Sequence, residues 1–88
     1  MAGTSESERH DTLQEQKRLT IAKVAQASGQ AVLPDHLRCD VMPAEGGRYR
    51  VTLWHYDAVY EDIFVSEDRL LDMRAILSEM HFRQELLK

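Results

Sequence analysis

The chain predicts an α+β fold in the order α-β-β-β-α: a three-stranded antiparallel meander with the C-terminal helix packed on one face. Three observations predict it. The run 48–65 alternates apolar and polar residues with period two around a short turn, the pattern of a β-hairpin. Near the end, Leu70, Met73, Ile76, Leu77, Met80 and Leu87 recur at helical spacing. The length, 88 residues, suits one domain rather than two. Residues 1–10 are polar and read as a disordered leader, which leaves 11–88 as the domain.

The first helix is expected over 12–28. Thr12 and Glu15 have capping-box spacing, so each can satisfy a free backbone N–H of the first turn. Leu13, Ile21, Val24, Ala25 and Ser28 form a weak small-residue stripe interrupted by Lys17. Gly29 is placed to end the helix in a left-handed conformation, and Pro34 prevents its resumption. The first strand, 37–42, alternates Leu37, Cys39 and Val41 inward with Arg38, Asp40 and Met42 outward. A turn over 43–47 contains Gly46 and Gly47, which can take positive φ.

The hairpin strands are 48–55 and 59–65. A three-residue loop, Tyr56-Asp57-Ala58, puts Tyr49, Val51, Leu53, Val59, Ile63 and Val65 on the core face. Arg48, Arg50, Thr52, Trp54, Tyr60, Asp62 and Phe64 then share the other face. A two-residue loop would exchange the faces of one strand and put Asp62 in with Val51, so the odd loop is preferred. Glu61 is the exception on the apolar face, and a place near the hairpin edge or pairing with His55 would accommodate it. The last helix is expected over 67–87, with Ser66 as N-cap and Glu67 and Asp68 at the positive end of its dipole. Besides its core face it carries a second stripe of Leu71, Ala75, Ser78, Phe82 and Leu86.

Composition narrows the function. A chain this short builds a thin core, so help from a partner is expected. The net charge is −4, with seven acidic against four basic groups over 58–88. No segment is basic enough to hold a phosphate backbone strongly. A single cysteine, Cys39, excludes an intramolecular disulfide and fits a reducing compartment, so the cytoplasm is the expected location. No apolar run approaches the length of a membrane span, and no secretory signal is expected.

No pattern of catalytic residues stands out. Cys39 falls on the inward set, where a thiol behaves as a small apolar group. Gly46-Gly47 lies between strands rather than ahead of a helix, so it is no phosphate loop. The four histidines are scattered, and one cysteine does not complete a zinc set. No enzyme activity, cofactor or metal is expected.

The element order is similar to that of double-stranded-RNA-binding domains, and the strand–strand–strand–helix part is similar to three-stranded DNA-binding modules of some integrases. The first resemblance implies a basic cluster at the start of the last helix. That place reads Ser66-Glu67-Asp68-Arg69 here, the opposite charge.

What remains is surplus apolar surface. One candidate is the sheet face with Arg48, Arg50, Trp54, Tyr60 and Phe64, residue types that mark binding surfaces. The other is the helix stripe with Leu71, Phe82 and Leu86. One short N-terminal helix cannot cover both. The expectation is a small regulatory or interaction module that binds a protein, as a homodimer or on a larger partner. The alternative is a nucleic-acid module using Arg48, Arg50 and Trp54.

Overall fold

A computed structural model describes residues 6–86, and side chains from 12 to 81. The order is helix α1 (Glu6–Val32), strand β1 (Leu37–Pro43), strand β2 (Arg48–His55), strand β3 (Ala58–Ser66) and helix α2 (Met73–Leu86). Short 3-10 segments at Glu45–Gly47 and Glu67–Asp72 join β1 to β2 and β3 to α2. The sheet order is β1-β2-β3, antiparallel throughout. The expected α+β class and element order are those observed.

Core residues come from the alternate positions expected. Leu37, Cys39, Val41, Tyr49, Val51, Leu53 and Val65 line one face of the sheet. They meet Leu70, Met73, Ile76, Leu77 and Met80 from the C-terminal segment and Ala22 and Ala25 from α1. The result is two layers, with both helices on one side of the sheet.

The register beyond the hairpin tip is the expected one, reached by another route. The loop has two residues, because His55 pairs with Ala58, and Tyr56 takes φ +56°. A register shift at Leu53/Trp54 then inserts one extra residue into β3, so Leu53 faces Glu61, Val51 faces Ile63 and Tyr49 faces Val65. An even loop plus a one-residue bulge has the parity of an odd loop.

The bulge corrects two assignments. Val59 pairs with Trp54 and is 51% exposed, so it leaves the core. Tyr60, expected beside Trp54, instead packs against the core cluster, its ring 6.2 Å from that of His81.

Helix α1 departs from expectation at both ends. It starts at Glu6, inside the stretch expected as a leader, of which residues 1–5 lie outside those described. It also runs through Gly29 to Val32, so Gly29 is no terminator. A Cβ on Gly29 would stand 2.9 Å from Cys39 Sγ and 3.0 Å from both Leu77 Cδ1 and Met73 Cε. This glycine marks the closest approach of α1 to the core.

Ser66 makes no side-chain cap bond. The α-helical part of the last segment begins seven residues later at Met73, where Ala75 N–H donates to Asp72 Oδ1 at 3.2 Å. Arg69 donates to Glu79 at 2.9 Å and ties the 3-10 segment to α2.

The outer edge of β1 is closed by side chains of α1. Gln26 Oε1 accepts from Val41 N–H at 3.0 Å, and Gln30 Oε1 accepts from Cys39 N–H at 3.1 Å. Gln30 Nε2 donates to the Leu37 carbonyl at 3.0 Å. The spacing explains the fit. Residues four apart on a helix rise about 6 Å, and outward groups two apart on a strand repeat at nearly the same interval. At the other end of β1, Arg18 donates to the carbonyls of Ala44 and Arg48 and lies 4.8 Å from the Tyr49 ring centre.

Burial, and secondarily the charge of Asp40, pushes the Cys39 thiol up from 9.0 to about 11. The neutral thiol therefore persists in the fold at pH values where an unfolded chain ionises. This raised pKa costs nothing below pH 9.0 and favours unfolding as pH rises from 9.0 towards 11. Stability is expected to fall across that window by up to about 1.4 kcal/mol per pH unit. Urea titrations of wild type and Cys39→Ala check it, since the cysteine-specific loss should be missing in the variant.

Candidate functional site

Because both helices pack on one side, no described residue of either helix covers the other side of the sheet. Register fixes what that outer face shows. One row across the strands is Met42, Arg50 and Phe64, the next is Asp40, Thr52 and Asp62, and the third is Arg38, Trp54 and Val59. Arg48 begins β2 beside Ser66.

The apolar members are open to solvent: Met42 is 56% exposed, Phe64 52% and Val59 51%. Only Thr52 is buried, because it is central on the central strand and hemmed in on every side.

The polar side chains of the face are already arranged among themselves. Trp54 Nε1–H donates to Asp40 Oδ2 at 2.7 Å, which holds the half-buried indole in one orientation. Arg38 lies 3.8 Å from the same carboxylate and 5.0 Å from the indole centre. Arg50 pairs with Asp62 at 3.1 Å, and the Arg48 guanidinium sits 5.2 Å from the Phe64 ring centre. These exposed ion pairs contribute little to stability. They set the directions of charge and ring on the outer face.

Of the residues expected on this face, Arg48, Arg50, Trp54 and Phe64 are there together, and Tyr60 is not. Met42 and Val59 belong to it as well. Met42 was legible from the β1 alternation, whereas Val59 needed the bulge.

The second candidate, the helix stripe, is only partly described. Leu71 lies in the 3-10 segment and is 91% exposed, beside a groove lined by Ile21, Val24 and Leu70. The side chains of Phe82 and Leu86 lie outside the described residues.

The fold also gathers three histidines that are far apart in sequence. Ring centres of His36 and His55 are 5.5 Å apart, those of His55 and Tyr60 5.7 Å, and Tyr60 leads on to His81. The Tyr56 ring meets that of His55 edge-on at 4.8 Å. The cluster packs the end of the hairpin against α2 and the α1–β1 connection. Among the described residues, no group of three or more His, Cys, Asp or Glu side chains is placed to hold a metal ion. No described helix is long and apolar enough to cross a membrane.

Fold and face together define a small α+β domain, one side of whose three-stranded sheet the described residues leave bare. No protein-family model, curated protein or solved structure matches the chain.

Proposed function

We propose that this chain is a non-enzymatic protein-interaction module that self-associates through its sheet. The observation that carries the reading is the outer face. Three large apolar side chains, each more than half exposed, share it with an anchored tryptophan and three arginines. Aromatic, methionine and arginine side chains are the types enriched at the buried centres of protein interfaces. The face carries both signs of charge, as a surface that meets its own copy requires.

Light scattering after size exclusion, across a concentration series, tests this. The expected mass is twice the 10.2 kDa of the chain. A mass of one chain at every concentration overturns self-association.

The nucleic-acid alternative draws on the same arginines. Here Arg50 is occupied by Asp62 and Arg38 lies beside Asp40, which leaves little free positive charge for phosphates. Binding to oligonucleotides that weakens steeply with salt would favour that alternative.

A further inference from the structure

We infer that two copies of this chain join through the free edge of β3, extending the sheet to six strands across a two-fold axis. The inference rests on the proposed self-association through the sheet, and places the contact at its edge. The two sheet edges differ. On β1, the outward groups of Leu37, Cys39 and Val41 bond to Gln26 and Gln30. On β3, no described residue makes an edge bond of that kind.

Alternation identifies the groups on the free edge. Cys39 and Val41 direct their N–H groups away from β2, so their partners Leu53 and Val51 direct theirs towards β3. Ile63 and Glu61, paired with Val51 and Leu53, therefore bond inward to β2. Asp62 and Phe64 are left with N–H and C=O groups pointing outward. An extended strand is the chemistry that satisfies such a row.

Register and charge select a second copy. Pairing Asp62 with Asp62 of the other chain would oppose two carboxylates. Moving the axis to Ile63 pairs Asp62 with Phe64 of the second copy, and Phe64 with its Asp62. Both are hydrogen-bonded pairs. Arg48 of each chain, which already lies over its own Phe64, then stands beside the other chain's Asp62. On the inner face the half-buried Ile63 meets its own copy. The bulge near Tyr60 confines the pairing to the half of β3 that ends at Ser66.

The test compares three variants by light scattering. Asp62→Pro removes an N–H that points away from β2, so the internal ladder stays intact while the edge is blocked. Asp62→Ala removes the same carboxylate, with its pair to Arg50 on the outer face, but keeps that N–H. Met42→Glu alters the outer face on β1, two strands from the edge. Asp62→Pro is expected to be a folded monomer, and Asp62→Ala and Met42→Glu dimers. A dimeric Asp62→Pro overturns edge pairing, and with a monomeric Met42→Glu it leaves face-mediated self-association standing. A monomeric Asp62→Ala or Met42→Glu beside a monomeric Asp62→Pro puts the contact on the face and overturns edge pairing. A monomeric wild type overturns both readings.

Amide hydrogen exchange on the wild-type dimer covers the case in which the proline variant fails to fold. The Asp62 and Phe64 amides are expected to be protected. Exchange as fast as in an open strand overturns the inference.

Discussion

Gly29→Val is expected to be the most damaging single substitution considered, costing about 3 kcal/mol, the upper part of the range for overfilling a packed core. The local propensity of α1 points the other way, since replacing a mid-helix glycine by alanine ordinarily stabilises a helix by about 1 kcal/mol. Space decides against propensity. The first added carbon already meets Cys39 Sγ at 2.9 Å, with Leu77 and Met73 at 3.0 Å.

Leu77 and Met73 meet it with the ends of flexible side chains and can yield. Cys39 is short and sits on a strand held by β2 and by Gln30, so it cannot. Gly29→Ala should therefore lose about 1 kcal/mol or slightly more, and combining it with Cys39→Ala should recover part of that loss. Chemical denaturation of the two single variants and the double gives the coupling directly. Additive losses would show that Cys39 is not the obstacle.

Gln26 and Gln30 provide the second large effect, and they separate by chemistry. Gln26 serves β1 only as an acceptor, from Val41 N–H. A carboxylate accepts as well as an amide, so Gln26→Glu should be nearly neutral. Gln30 accepts from Cys39 N–H and also donates to the Leu37 carbonyl. In Gln30→Glu the donor is gone and a carboxylate oxygen faces that carbonyl, at an expected cost of about 2 kcal/mol. The double variant Gln26→Leu/Gln30→Leu leaves strand groups without partners and reopens the β1 edge. It should lose about 3 kcal/mol and aggregate on concentration. Thermal unfolding with light scattering reads both effects. Equal losses for the two glutamate variants would show that the glutamines act only through packing.

Much of the fold was legible because apolar periodicity survives any tertiary arrangement. Leu37, Cys39 and Val41, then Tyr49, Val51 and Leu53, alternate in the chain and are buried in the structure. Leu70, Met73, Ile76, Leu77 and Met80 repeat at helical spacing and form the face that α2 and its 3-10 lead-in bury. Arg48, Arg50, Trp54 and Phe64 were placed together by the same alternation, which needs only strand geometry.

Long-range geometry decided the rest. The bulge that exchanges Val59 and Tyr60 has no periodic signature, since an even loop with one inserted residue matches an odd loop everywhere but at the tip. Gly29 reads as a helix end in sequence, where glycine signals conformational freedom. In the structure it is a clearance for a sulfur ten residues away. Nothing in the sequence marks Gln26 or Gln30, the second of which lies beyond the helix expected over 12–28, and only the docking of α1 against β1 turns their amides into the cover of a sheet edge. Local pattern determined which residues face inward, because burial acts on each strand or helix separately. Only the tertiary structure decided which edge and which face the described residues leave open, because that depends on where the helices pack.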